Sequence, residues 1–193
     1  MSEDDFDAHV PADDYGFSKY VCAKAIDAMD RVYELRLFGV FGPHEDWQVR
    51  FISNACCRAV WDMPVVVRQN VFFDYLDIED LARILECFAV KNLAWRHYNV
   101  CRGRSIDLKT LAEKVVTISG KSLPIEIPNP ALGKEYSGTN SRMLGEIPDF
   151  RFREFDESIT ELYHWYAERK SGIDPGLLRF DGRRHVRPKE PLK

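Results

Sequence analysis

Apolar side chains recur at four-residue steps from Gly16 to about Arg31, at Phe17, Val21, Ala25 and Met29 with Cys22 and Ile26 beside them, and the spacing predicts a helix. A strand follows over 33–41, closed by the breaker pair Gly42-Pro43. Residues 49–60 read as a second helix, and two short strands come next, Val65-Val66-Val67 and Val71-Phe72-Phe73. Asp77 is placed to cap a helix striped by Ile78, Leu81, Ala82, Leu85 and Ala89, with Glu79 and Asp80 in its first turn. His97 to Cys101 form a strand. The turn Arg102-Gly103-Arg104-Ser105 then leads to a helix capped by Asp107, with Leu108, Leu111, Ala112 and Val115 inward and Gly120 as its stop. Ile125-Glu126-Ile127 is a short strand between prolines, and a last helix from Asp156 to about Lys170 buries Ile159, Leu162, Tyr163 and Tyr166. Strands alternating with amphipathic helices predict an α/β protein with a partly parallel sheet. Only two of the strands are long, so the chain reads as part of a sheet.

The composition narrows the class. At 193 residues, 45% apolar and 30% charged, the chain can bury a proper core. Lys and Arg total 27 against 31 Asp and Glu, a net charge of -4, which argues against a general nucleic-acid binder. No apolar run approaches a membrane span, and the acidic start MSEDDFDAHVPADD is unlike a signal peptide. The first 14 residues hold six carboxylates and no Lys or Arg, and are expected to form an exposed acidic loop. Five cysteines with no C-x-x-C pair read as free thiols in a reducing cytosol, so a cytoplasmic location is expected.

The clearest chemical feature is Tyr15-Gly16-Phe17-Ser18-Lys19, a phenol and an ammonium four apart where a helix opens. That spacing sets both on one helix face. A phenol ionises near 10, and a neighbouring cation favours its phenolate, so the pair suits proton transfer to or from a hydroxyl or carbonyl. In a chain with eight tyrosines a lone Tyr-x-x-x-Lys also arises by chance, and the motif gains weight only in company.

The company is an ordered series: Pro11-x-x-x-Tyr15-Gly16-x-Ser18-Lys19, then Leu35 to Pro43, then Phe73-Asp74-Tyr75-Leu76-Asp77-Ile78-Glu79-Asp80-Leu81-Ala82, then Tyr98-Asn99-Val100 with Gly103-Arg104-Ser105. From about Pro11 to Ser171 this resembles the extended short-chain dehydrogenase/reductases, specifically the NAD-dependent epimerase/dehydratases that act on nucleotide sugars. The resemblance implies the C-terminal part of a Rossmann-type parallel sheet, its final strands and helices, plus a small mixed α/β substrate-binding cap. It implies that 15–171 form this portion, with 1–14 an acidic loop and 172–193 an extended tail. Tyr15 would be the general acid/base, Lys19 would hold the nicotinamide ribose, and Phe38, Gly39 and Val40 would lie against the nicotinamide.

The sequence departs from the pattern in several places. The eleven glycines include Gly39-x-x-Gly42, but Glu45 sits where a third would be needed, so no Gly-rich phosphate-binding turn is present. A Ser or Thr ahead of the Tyr has no counterpart. Gly39 replaces a common Asn, and Phe73 stands where many relatives have an Arg, which leaves Arg50 and Arg68 as candidate substrate-binding cations. The expectation is a C-terminal portion that needs NAD or NADP in the intact enzyme, binds it poorly alone, acts on a nucleotide sugar, and pairs with an N-terminal half or a second copy. The reaction class lies between isomerase and oxidoreductase chemistry. The alternative is a catalytically inactive binding or interaction module from a truncated or split gene.

Other candidates have plainer readings. Adjacent Cys56 and Cys57 diverge on a helix and read as buried thiols. His97 and His164 lack a second ligand at metal spacing, so no metal is expected. Tyr163, Trp165 and Tyr166 read as core and interface. The tail from Leu177 to Lys193, with six Lys or Arg against two acids, reads as a solvated end.

Overall fold

The computed structural model describes residues 1–8 and 10–178. Its helices are α1 (Asp14–Asp27), α2 (Phe51–Val60), α3 (Ile78–Ala89), α4 (Leu108–Ser119), α5 (Ser141–Glu146) and α6 (Phe155–Glu168). Its strands are β1 (Glu34–Leu37), β2 (Gly39–Phe41), β3 (Val65–Val66), β4 (Phe72–Phe73), β5 (Tyr75–Asp77), β6 (His97–Val100), β7 (Ile106–Asp107) and β8 (Ile125–Glu126). Among the described residues the strands pair two by two. The pairs β1–β6, β2–β5 and β3–β8 are parallel, and β4–β7 is antiparallel. The fold is mixed α/β with parallel strands, as the alternating pattern predicts.

The strand expected over 33–41 is divided at Phe38. Its first half pairs with β6 and its second with β5, and the Gly39 amide donates to the Asp74 carbonyl at 3.1 Å where the chain changes partner. This division sets Phe38 and Gly39 at the end of a parallel ladder.

Two cores result. The larger is built by α2, α4 and α6 around β3, with Cys56, Cys57, Val65, Leu111 and Ile159 fully buried. The caps here follow the sequence: the Asp107 carboxylate accepts from the Thr110 amide, and Gly120 closes α4 in the left-handed region at φ +66°. The smaller core joins α3 to β5 and β6 through Leu76, Ile84, Phe88, Tyr98 and Val100. Asp77 caps α3 by accepting from the Glu79 amide.

Several expectations need correction. The stripe predicted on α3 lies about one position off. Leu81, Ile84 and Phe88 are buried, whereas Ile78, Ala82, Leu85 and Ala89 are exposed, because the Phe88 ring meets Tyr98 edge-on at 5.0 Å. The stripe predicted on α1 faces outward: Phe17 is 50% and Val21 49% exposed, and Ala23 alone is buried. The acidic start is no free loop, since Glu3–Ala8 form a 3-10 turn whose Glu3 is buried. Within 172–178 the chain is not extended. Two 3-10 turns, Lys170–Gly172 and Pro175–Leu178, flank Ile173; Ile173 and Leu178 enter the larger core, with the Arg58 guanidinium donating to the Leu178 carbonyl. The rest of the expected tail, 179–193, lies outside the described residues. No described helix is long and apolar enough to cross a membrane.

Candidate active site

Helix α1 opens on a conventional cap, the Asp13 carboxylate accepting from the Gly16 amide at 2.8 Å, and the Ser18 hydroxyl folds back onto the Tyr15 carbonyl at 2.7 Å. One turn then separates Tyr15 from Lys19. The Lys19 ammonium lies 5.4 Å from the centroid of the Tyr15 ring, a cation–π contact, and Tyr15 is 74% exposed. Both side chains line a cleft of about 500 Å³ together with Phe38, Tyr136, Glu34 and Arg36.

The wall of the cleft formed by the sheet is charged but internally paired. The Arg36 guanidinium donates to the Glu34 carboxylate at 2.7 and 3.0 Å and to the Glu3 carbonyl at 3.1 Å, and it stacks 3.9 Å from the centre of the Phe6 ring. His97 stands between two carboxylates, Nδ1 at 2.7 Å from Glu34 and Nε2 at 2.7 Å from Asp27. The latter contact ties the end of α1 to β6. The N-terminal turn is held by the Asn99 amide, which donates to Glu3 Oε1 at 2.9 Å, and by the Asp7–Lys24 ion pair at 2.6 Å.

The opposite wall is aromatic. Phe38 packs on Tyr136 with ring centroids 5.1 Å apart, Tyr136 on Phe73 at 5.7 Å, and Phe73 on Tyr75 at 5.6 Å. Gly39 is required by this stack, because a Cβ there would stand 2.9 Å from the Tyr75 ring. Beneath it, fully buried Asp74 accepts from the amides of Arg102 and Gly103, each at 2.8 Å, and so fixes the Gly103-Arg104-Ser105 turn. Burial pushes the Asp74 carboxyl up from its ordinary range, and those amide bonds oppose the shift.

The structure brings Tyr15, Lys19 and Phe38 to one cleft. Gly39 and Val40 continue from it on β2, where Val40 packs against the smaller core. Arg50 and Arg68 do not line it. Arg50 is the exposed N-cap of α2, and Arg68 borders a separate hollow with Phe51, Val66 and Leu108. Tyr136 was missed by sequence reasoning. It lies in a segment without hydrophobic periodicity and reaches the cleft through an isolated parallel bridge to Phe73.

Tyr15, Lys19 and Phe38 gather a phenol, an ammonium and an aromatic ring in one cleft. Neither Gly42 nor the opening of α1 offers a pyrophosphate a cradle: the space a Cβ would take at Gly42 is filled by Ile78, 2.3 Å away, and α1 opens on acidic Asp13 and Asp14. No group of three or more His, Cys, Asp or Glu gathers as a metal site among the described residues.

The NAD dependent epimerase/dehydratase family matches residues 2–101. No curated protein matches the chain. Solved structures do. A dTDP-glucose 4,6-dehydratase from Bacillus anthracis in complex with NAD superposes with a TM-score of 0.72 at 18% identity, covering 86% of this chain and 56% of that one. A UDP-glucuronic acid 4-epimerase from Bacillus cereus in complex with NAD gives 0.70 at 18% identity, covering 88% and 56%. A GDP-L-fucose synthetase from Naegleria fowleri bound to NADP gives 0.70 at 16% identity, covering 89% and 61%. At these identities the likeness establishes the fold, and the chain spans little more than half the length of these structures.

Proposed function

The chain belongs to the NAD-dependent epimerase/dehydratase family, and from that premise we propose that it is the C-terminal, substrate-binding portion of an enzyme that modifies a nucleotide sugar. The observation that carries this reading is the placement of Tyr15 and Lys19, one helical turn apart, in a cleft with Phe38. In this role the Tyr15 phenol passes a proton to or from the sugar oxygen that changes between hydroxyl and carbonyl. Lys19 supplies the adjacent positive charge and a donor for the ribose. When bound, NAD or NADP supplies hydride chemistry at the sugar carbon. Gly39 and Val40 form the strand end beside it, and Arg50 and Arg68, which lie outside the cleft, have no part in this reading.

In this reading the chain alone neither holds a dinucleotide well nor turns over. Supporting it are the filled space at Gly42, the acidic opening of α1 and the partial coverage of the solved structures. The test is to join the chain to the segment encoded upstream of Met1 and compare the two forms. The joined protein is expected to bind NAD or NADP, and Tyr15→Phe to lower its kcat by about 10²–10⁴. Stoichiometric NAD binding by the 193-residue chain alone would overturn the claim that it needs a partner half.

A second reading, a non-catalytic interaction module, is favoured by one observation: α1 turns Phe17 and Val21 outward beside β1, a strand with one partner. Size-exclusion chromatography with and without the upstream segment tests the partner half. A stable 22.4 kDa monomer that gains nothing from that segment would count against it.

A further inference from the structure

Away from the Tyr15 cleft, a small hollow lies between α6 and the start of α3. Ser158, Glu161, Leu162 and Trp165 recur at helical spacing and line it from α6, and the Gly42-Pro43 turn and the first residues of α3 line its other side. Its volume of about 160 Å³ is below the ~300–1,000 Å³ of pockets for drug-sized ligands, and suits a group of a few non-hydrogen atoms.

Two polar groups on its wall are buried and poorly served. Ser158 is 3% exposed, and its hydroxyl has no hydrogen-bond partner among the described residues. Asp77 is 5% exposed. Its Oδ1 accepts from the Glu79 amide at 2.7 Å, but the donor nearest its Oδ2 among the described residues is the Arg153 guanidinium, at 3.5 Å. A hydrogen bond between such charged groups is ordinarily about 2.7–2.9 Å long. Arg153 is engaged elsewhere, with the exposed carboxylates of Glu161 at 2.6 Å and Glu157 at 3.4 Å. A buried hydroxyl and a buried carboxylate oxygen left in this way oppose folding unless something donates to them.

The surroundings select the donor. Asp77, Glu79 and Glu161 set three carboxylates around the hollow against the one guanidinium of Arg153, an arrangement that repels anions. They do not form a group that could hold a metal ion. The remaining wall is apolar, with Pro43 and Ile78 beside the rings of Phe41 and Trp165. A primary ammonium on a short alkyl stem matches both halves. It brings three donors and no acceptor to the oxygens, and its stem meets the apolar wall, where an indole ring favours a cation. We propose that the hollow between α3 and α6 is a binding site for a small, diffusible primary alkylammonium, held by Ser158 Oγ and Asp77 Oδ2. Leu162 belongs to the larger core and α3 to the smaller, so the guest ties the two together and its binding stabilises the folded chain.

The test is amide and indole NMR of the full chain with n-butylammonium chloride at millimolar concentration. Three controls run beside it: sodium chloride at equal ionic strength, tetramethylammonium, which has no N–H donor, and n-butanol, which has no charge. Butylammonium alone is expected to shift the Trp165 indole and Ser158 amide signals saturably and to raise the unfolding midpoint. Ser158→Ala is expected to fold as well as the parent and to bind butylammonium about tenfold more weakly. Asp77→Asn keeps a side chain able to cap α3 while removing the charge, and should weaken binding by about tenfold or more. It decides the matter if Ser158→Ala does not fold. The proposal is overturned if butylammonium does no more than sodium chloride, or if tetramethylammonium or butanol acts as it does. It is equally overturned if a folded Ser158→Ala or Asp77→Asn chain binds as the parent does, since water alone would then serve the two oxygens.

Discussion

Helix α2 buries every residue from Ile52 to Val60, whereas the longer α1 buries Ala23 alone. The first sits in a layer with α4 and α6 and carries no proposed chemistry. The second carries Tyr15 and Lys19. Fully burying one Leu or Ile contributes about 1.5–3 kcal/mol. An exposed ion pair such as Asp7–Lys24, one of the contacts that hold α1, contributes far less, because water screens it. Stability and chemistry are thus assigned to different parts of the molecule. The fold is secured by the three-helix layer, and the geometry of the proposed Tyr15–Lys19 pair is left to a few polar contacts and to whatever meets the outer face of α1.

The contrast is broken most directly by cutting into the layer. Leu162, 1% exposed, contacts the core of α2 and α4, and Leu162→Ala is expected to cost about 2–5 kcal/mol in urea unfolding. A cost below about 1 kcal/mol would show that the layer does not hold the fold. Next in size is Asp74, the buried carboxylate under the aromatic wall. Asp74→Ala leaves the Arg102 and Gly103 amides without their acceptor and should cost about 1–3 kcal/mol. It should also loosen the turn behind the cleft, which hydrogen exchange at those two amides would register.

How much of this was legible in the chain follows the same division. Where capping residue and apolar period agree, as at Asp107, Leu111, Val115 and Gly120, the sequence led to the right helix and the right inward face. On α3 only Leu81 of the predicted stripe is buried, and Ile84 and Phe88 take the other inward places, Phe88 against Tyr98. On α1 the period is present but no described residue covers it, so a pattern that predicts burial ends on the surface. For the site, Tyr15 and Lys19 are local and could be read from spacing. Tyr136 could not, because its place depends on a bridge to a residue 63 positions earlier.

A smaller effect comes from charge within the layer. Burial pushes the Glu45 carboxyl up, against the opposing pull of the Ser53 hydroxyl at 2.5 Å. An acid whose folded pKa is raised binds its proton more tightly folded than unfolded. Its contribution is most favourable below the ordinary carboxylate value of about 4.3 and is lost as pH rises through the raised one. Glu45→Gln keeps an acceptor for Ser53 and removes that loss. The variant is expected to be more stable than the parent at pH 7–8, with the difference closing near pH 4. An unchanged difference across that range would mean that Glu45 does not titrate against burial.

The smallest expected effect sharpens the comparison most. Phe17 and Val21 lie about half exposed on the outer face of α1. Replacing Val21 by Ser removes little buried area and changes helix propensity only slightly, so its stability should move by less than about 0.5 kcal/mol. Phe17→Ser should behave alike. That expectation holds only for a chain whose α1 faces water. If either substitution costs more than about 1.5 kcal/mol, and the cost grows with protein concentration, the outer face is covered in solution by a second molecule. The helix bearing Tyr15 and Lys19 would then be as firmly packed as the three-helix layer, and its positioning would come from that interface rather than from the contacts of a single chain.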